Sequence, residues 1–248
     1  MEGKIGMYHI IEELLAFGLT RQESRILMAL WEQGAMTGYE VAKLTGISRS
    51  NTYTALAGLV EKGAAYTMEE NVSKYLGVDF VEFSNNVLRH LTQIQKEIIS
   101  HLPSIKEETQ GYITLHGETQ IMDKLITMIE ETQYRLYLSV PGDVLQQVEP
   151  YLLKQLTDGK RVVILTDCAY ALEGAVTYHT TMGDSQIRLI VDSHKVLTGR
   201  ISSTEVSTCL YSLNQNLVDV FKEMLQNEIT LIKLKNSPDG MDSETMHP

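Results

Sequence analysis

TGYEVAKLTGISRSNTYTALAGLVEKG, residues Thr37 to Gly63, holds two helices and the turn between them. Thr37-Gly38-Tyr39-Glu40 is a capping box, in which the threonine and glutamate side chains each satisfy a backbone donor at a helix start. The helix it opens is short, with Val41 and Leu44 as its expected buried positions, and Gly46 ends it. Ser48 is the next N-cap. From Arg49 to Lys62, residues Tyr53, Leu56, Leu59 and Val60 recur at helical spacing, and Gly63 stops the run. Two helices joined through Gly46-Ile47-Ser48 make a helix-turn-helix pattern, and the front of the second helix projects from the protein.

The flanks complete a larger unit. Upstream, Tyr8 to Phe17 carries Ile10, Ile11, Leu14 and Leu15 and stops at Gly18. Thr20 and Glu23 then form a second capping box, opening a helix with the stripe Ile26, Leu27, Leu30 and Trp31, closed by Gly34. Downstream, Ala64 to Met68 and Lys74 to Val78 flank the polar turn Glu69-Glu70-Asn71-Val72-Ser73 and read as a hairpin, the wing of a winged helix-turn-helix over residues 1–79. In that fold Arg49, Ser50, Asn51 and Thr54 are free to meet a major groove. Arginine reads guanine and asparagine reads adenine through paired hydrogen bonds, while serine and threonine suit bases or phosphates. The competing roles are capping for Ser50 and Thr52 and packing for Tyr53.

Phe80, Phe83, Val87, Leu91, Ile94, Ile98, Leu102 and Ile105 are spaced 3, 4, 4, 3, 4, 4 and 3. This eleven-residue repeat keeps one apolar seam on a nearly straight helix. Residues 80–109 are therefore expected to be a helical dimerisation linker, interrupted at Pro103, with Phe83, Val87, Leu91, Ile94, Ile98 and Leu102 at the interface. A two-fold dimer would present two recognition helices to a palindromic operator in double-stranded DNA.

Residues 110–235 alternate strand and helix: strands at Tyr112–Leu115, Arg135–Val140 and Arg161–Leu165, and helices at Glu118–Glu131 and after Pro141-Gly142-Asp143. Gln186–Val191, Val196–Ile201 and Val206–Tyr211 are further strands, Leu217–Leu234 is a closing helix, and residues 236–248 form a polar tail. The alternation predicts an α/β domain with a parallel core, so the whole chain is an α+β multidomain protein. Ligands of such sheets collect beyond the carboxyl ends of the strands. Those ends carry Ser139, Asp167, Cys168 and Asp192, and the stretch Tyr170 to Asp184, read as a loop, adds Tyr178 and His179. These six residues are the candidate effector site.

Composition sets further bounds. A length of 248 residues suits two domains and a connector, and 43% apolar with 21% charged residues is ordinary for a folded protein. No apolar run reaches membrane-span length and no signal segment opens the chain, so a cytoplasmic location without membrane contact is expected. Cys168 and Cys209 lack the spacing of a zinc site or redox dithiol, and no glycine-rich phosphate loop is present, so neither metal nor cofactor is expected. The net charge of −11 is unusual for a nucleic-acid binder, and residues 1–79 hold seven Lys/Arg against ten Asp/Glu. DNA affinity must then come from local placement, helix N-termini and the two copies of a dimer. A signalling adaptor that has lost DNA binding is the alternative that this charge favours.

The order of parts resembles the TrmB-like family of regulators. The resemblance is carried by Ile47-Ser48-Arg49-Ser50-Asn51-Thr52-Tyr53 leading to Leu59-Val60-Glu61-Lys62-Gly63, by Leu156-Thr157-Asp158-Gly159-Lys160-Arg161-Val162-Val163-Ile164-Leu165, and by Cys209-Leu210-Tyr211-Ser212. It implies a winged helix-turn-helix joined by a coiled-coil helix to a phospholipase-D-like domain, and transcriptional control, with some members sensing sugars or related metabolites. The archaeal sugar-sensing members carry an additional C-terminal region that 248 residues do not hold. Phospholipase-D-like catalysis needs His-x-Lys-x-x-x-x-Asp, with histidine attacking phosphorus and lysine stabilising phosphate charge. With Asp192 in the acidic position, Ser185 and Ile187 take the other two, and adjacent His194 and Lys195 point to opposite faces of a strand. The domain is therefore expected to sense a small molecule and not to be an enzyme; a phosphodiesterase is the remote alternative.

Overall fold

The computed structural model describes residues 2–69, 72–103, 111–169, 172–180, 186–202 and 206–235, with backbone alone for residues 2–8. Glu70 and Asn71 of the expected wing turn, Ile105 of the seam, residues 170–171 and 181–185, and the tail 236–248 lie outside them. The chain divides into two compact units, Met1–Ser104 and Ile105–Pro248.

In the first unit, helices α1 (Glu2–Leu15), α2 (Arg21–Gln33), α3 (Gly38–Thr45) and α4 (Arg49–Glu61) form around both capping boxes. Thr20 Oγ1 accepts the Glu23 N–H at 3.2 Å while the Glu23 carboxylate accepts the Thr20 N–H at 2.6 Å. The Thr37 and Glu40 pair repeats this at 3.3 and 2.8 Å. Gly46 takes the left-handed conformation, φ +70°, that ends α3, and Ser48 caps α4 by accepting the Asn51 N–H at 3.4 Å. Strands β2 (Ala65–Met68) and β3 (Lys74–Gly77) make the wing, and a two-residue strand β1 (Met36–Thr37) extends it in the order β1-β3-β2, all antiparallel. The core joins Leu14, Ile26, Leu27, Leu30, Val41, Leu56 and Leu59.

Two expectations change here. Leu44 is 52% exposed, and Ala42 takes the inward position beside Val41. Helix α5 (Phe80–His101) begins inside the domain: Phe83 is 1% exposed, packed 6.2 Å from Phe17, with Val87 against the same core. Phe83 therefore leaves the expected dimer interface, because the first turn of the connector closes the winged domain's own core. Asp79 caps that turn, accepting the Val81 and Glu82 N–H groups at 2.9 and 3.3 Å. Beyond it, Leu91, Ile98 and Leu102 lie 52, 53 and 59% exposed.

The second unit is a seven-stranded sheet in the order β4-β10-β9-β8-β5-β6-β7. Its strands are β4 (Tyr112–His116), β5 (Arg135–Ser139), β6 (Arg161–Thr166), β7 (Val176–His179), β8 (Gln186–Val191), β9 (Lys195–Arg200) and β10 (Thr208–Ser212). Helices α6 (Glu118–Glu130) and α7 (Gly142–Thr157) share one core with the sheet, through Leu125, Ile129, Leu138, Val148, Leu152, Ile164 and Leu189. Helix α8 (Gln215–Lys235) shares another, through Val163, Leu165, Ile190, Val196, Val218 and Leu225.

Only β5, β6 and β7 run parallel; β8, β9, β10 and β4 join by antiparallel pairing. The expected parallel core is thus three strands wide. Strand β7 falls in the stretch read as a loop, being too short and too polar, Val-Thr-Tyr-His, to show a period. Among the described residues no helix is long and apolar enough to cross a membrane.

Candidate nucleic-acid interface and effector end

At the front of α4, Arg49, Ser50, Asn51 and Thr54 are all exposed. The Arg49 guanidinium lies 4.8 Å from the centre of the Tyr39 ring on α3, a cation–π contact that steadies a long side chain. Thr52 behaves differently: it is wholly buried, and its hydroxyl donates to the Ser48 carbonyl at 3.0 Å. The Thr54 hydroxyl donates to the Ser50 carbonyl at 3.1 Å, a solvent-exposed bond that it can exchange for another acceptor by rotating. Tyr53 packs its ring against Gly38, where any side chain would overlap it, yet stays 49% exposed. That close approach sets the crossing of α3 and α4.

A shallow groove of ≈ 470 Å³ joins Asn51, Thr54 and Ala55 to Thr20, Arg21, Gln22 and Glu23 at the start of α2. Arg21 and Gln22, through this groove, and Tyr39, through its contact with Arg49, are additions to the candidate interface. Their only signal in the sequence was membership of the two capping boxes, which accounts for the flanking residues and leaves these three unassigned.

The acidic excess of the first unit is partly tied up internally. Glu23, its side chain 7% exposed, accepts from Lys62 Nζ at 2.6 Å and joins the start of α2 to the end of α4. Burial pushes the Glu23 carboxyl up, but the hydrogen bonds from Lys62 and Thr20 outweigh it and hold the group below its ordinary value. A side chain at Gly58 would collide with this carboxylate. Glu40 is likewise lowered by the Thr37 backbone and hydroxyl, and Glu12 pairs with Arg21 at 3.2 Å.

In the second unit, Ser139, Asp167 and Cys168 gather at the carboxyl ends of β5 and β6, with Tyr178 and His179 ending the parallel neighbour β7. Ser139 is fully buried and its hydroxyl has no hydrogen-bond partner among the described residues. Asp167 accepts the Gly142 N–H at 3.0 Å and so caps α7, and Cys168 lies against Gly142 with its sulfur 3.4 Å from Thr166 Oγ1. Tyr178 packs in the α8 core, whereas His179 is exposed.

Asp192 does not join this group. Strand β8 runs antiparallel to β5, so its carboxyl end meets the amino end of β5, with Val191 opposite Leu136. There Asp192, at φ +51°, accepts the backbone N–H groups of Gln133, Tyr134 and Arg135 at 2.8, 2.9 and 2.9 Å. Burial raises its pKa, but these three bonds and nearby Lys160 bring it below the ordinary value. Its carboxylate is a structural cap at the far end of the sheet.

The antiparallel register instead sets Arg188 opposite Ser139. Arg188 pairs with Glu228 of α8 at 3.1 Å and donates to Gln186 at 2.5 Å, while its buried Nε has no hydrogen-bond partner among the described residues. Thr180 donates to the same Glu228 carboxylate at 3.3 Å. An arginine inside the apolar run Gln186-Ile187-Arg188-Leu189-Ile190-Val191 is the signal that would have found this cluster. Of the hydrolytic positions, Ile187 is fully buried in the core and Ser185 lies outside the described residues. Lys195 is held by Glu131 at 2.6 Å. The described residues contain no group of three or more His, Cys, Asp or Glu able to hold a metal ion. Burial pushes the Cys209 thiol up to about 11.

A winged helix-turn-helix with an exposed polar recognition helix, a long connecting helix and a separate mixed α/β domain define the class of two-part transcriptional regulators. Two family profiles match the chain. One is described as the sugar-specific transcriptional regulator TrmB, over residues 14–80; the other as the N-terminal subdomain of the TrmB effector-binding domain, over residues 111–224. The chain belongs to the TrmB family of transcriptional regulators. It is 23% identical to the protein YrhO of Bacillus subtilis over 239 residues, 91% of this chain and 86% of that one. It is 24% identical over 158 residues to TrmBL1, an HTH-type sugar sensing transcriptional regulator of Pyrococcus furiosus, covering 59% of this chain and 44% of TrmBL1. Among solved structures it is similar to TrmBL2, an archaeal chromatin protein, with 19% identity, 91% of this chain and 99% of that one covered, and a TM-score of 0.44. It is also similar to Nuc, a phospholipase D family member of Salmonella typhimurium, with 14% identity, 48% and 95% coverage and a TM-score of 0.37.

Proposed function

We propose that this protein binds operator DNA as a homodimer through the front of α4, and that its C-terminal domain senses a small metabolite, a sugar or related compound, without turning it over. The exposed, pre-positioned Arg49 above Tyr39, next to Asn51, carries the DNA half of the reading. Arg49 and Asn51 read base edges, while Ser50, Thr54, Arg21 and Gln22 meet phosphates or adapt to the sequence. The exposed Leu91, Ile98 and Leu102 on α5, with half-buried Ile94, support pairing of two copies along that helix. Acting on DNA, the protein works in the cytoplasm.

The effector half draws on the polar residues at the carboxyl ends of β5, β6 and β7: Ser139, Asp167, Cys168, Tyr178 and His179. A sensor needs only different affinities for two arrangements of the dimer, and a coupling of about 1–3 kcal/mol changes operator affinity roughly 5–150-fold. The test is a gel shift on the DNA upstream of the protein's own gene, followed by a thermal-shift screen of sugars and related metabolites. The reading expects a specific complex and a stabilising compound that alters operator affinity. A protein that binds no upstream DNA is an adaptor; turnover of a phosphodiester substrate overturns the non-enzymatic part.

A further inference from the structure

Helix α8 packs on the sheet through one side, with Val218 and Leu225 buried and Phe221, Ile229 and Ile232 beside them. A second row lies off that side. Val220, Met224, Asn227, Leu231 and Leu234 are spaced 4, 3, 4 and 3 along the helix. This is the 3.5-residue spacing at which one helix packs lengthwise along another. The described residues leave Val220, Leu231 and Leu234 61, 59 and 61% exposed. A shallow groove of ≈ 470 Å³ follows the row from Val220 to Leu231.

We propose that α8 pairs antiparallel with α8 of a second copy, with Asn227 on the two-fold axis. The row reads almost the same from either end. Val220 and Leu234 stand equally far from Asn227, and Met224 and Leu231 nearly so. Pairing about Asn227 therefore sets apolar on apolar along the whole row, and gives the single polar position its own amide as partner, which both donates and accepts. Charge selects the direction. Asp219 and Glu223 flank the N-terminal half of the row, whereas Lys235 flanks its last turn; Lys222 and Lys233 lie on the far side of the helix, Lys233 over the Tyr178 ring. Antiparallel pairing brings the acidic end of one helix to the basic end of the other and opposes the helix dipoles, while parallel pairing stacks like on like. The interface lies in the second unit and is independent of the α5 seam proposed above, so either can fail alone.

The test is disulfide trapping in the full chain with Cys168→Ser, which leaves only the buried Cys209 as native thiol. In an antiparallel pair, a cysteine at 227 meets its own copy. A cysteine at 231 is displaced from its copy by about 12 Å along the helices, beyond the reach of a disulfide. Under mild oxidation at micromolar protein, Asn227→Cys should give the cross-linked dimer at least ~10-fold faster than Leu231→Cys, since pairing raises the local thiol concentration from micromolar toward millimolar. Adding Leu231→Glu to the Asn227→Cys chain should remove that advantage, with circular dichroism checking that the fold is kept. Equal rates for the two cysteines would mean parallel pairing or chance collision and would overturn the proposal. So would no trapping at 227, the outcome if residues 236–248 or a different protein covered the row.

Discussion

Replacing Asp192 tests how the second unit is held together. Its Oδ1 accepts from Tyr134 and Arg135 and its Oδ2 from Gln133, tying the turn after β8 to the start of β5. A hydrogen bond to a charged group contributes about 1.5–3 kcal/mol, but these N–H groups are partly exposed and recover water, so the three together are set at about 2–4 kcal/mol. Alanine also tolerates the left-handed φ of +51° less well than aspartate, which adds roughly 1 kcal/mol. Asp192→Ala should therefore destabilise the unit by about 3–5 kcal/mol. Asp192→Asn keeps the tolerant backbone and one acceptor oxygen for Tyr134 and Arg135, but turns an amide toward the Gln133 N–H, so about half of that loss is expected. Urea titration at neutral pH reads both. Trp31 is the single tryptophan and lies in the first unit, so its fluorescence transition should not move while the circular-dichroism transition of the second unit does. A loss under about 1 kcal/mol for alanine, or equal losses for the two variants, would refute the capping role. The folded pKa of Asp192 is depressed, so its contribution is fully present above the ordinary value of 3.8 and is lost as pH falls through the lower folded value. The gap between wild type and Asp192→Asn should narrow only below about pH 4.

In a gel shift, Arg49→Ala with Asn51→Ala should weaken operator binding by more than about tenfold, at roughly 1–3 kcal/mol per base contact. Tyr39→Ala should cost about 0.5–1 kcal/mol alone and nothing more once Arg49 is gone, if it acts by holding that guanidinium; additive losses would mean that Tyr39 meets DNA itself. In a chain that also carries Leu231→Glu to silence the α8 row, Leu91→Asp with Ile98→Asp should shift sedimentation toward the monomer while leaving the Trp31 transition in place, because neither Leu91 nor Ile98 belongs to the winged core. The same change at Val87 should also lower the stability of the winged unit, as that side chain packs on its core. Lys62→Met should strand the buried Glu23 carboxylate and cost about 2–3 kcal/mol, discounted for the partial exposure of Lys62. Because the Glu23 pKa is depressed, the wild-type pair stabilises fully above its ordinary value of 4.5 and weakens as pH falls below it, and the gap between wild type and Lys62→Met in a urea titration should shrink there.

The winged helix-turn-helix was legible in the sequence because its determinants are local. The caps at Thr20, Thr37 and Ser48 bond to groups three residues away, and Gly18, Gly34, Gly46 and Gly63 each take a positive φ at a helix end. The front of α4, with Arg49, Ser50, Asn51 and Thr54 exposed, followed from the same turn. Periodicity also located the connector, but it records only that a residue is apolar, not which surface covers it. Phe83 and Leu91 share one stripe, yet one closes its own domain and the other remains in water. In the second unit, the strand and helix positions other than β7 could be read from the chain, whereas strand direction could not, since nothing in the apolar run of β8 distinguishes parallel from antiparallel pairing. That direction alone carries Asp192 to the end of the sheet opposite Ser139 and brings Arg188 beside Ser139. Backbone pairing between segments far apart in sequence is decided when the sheet assembles, so the composition of the effector end belongs to the tertiary structure, as the recognition helix belongs to the sequence.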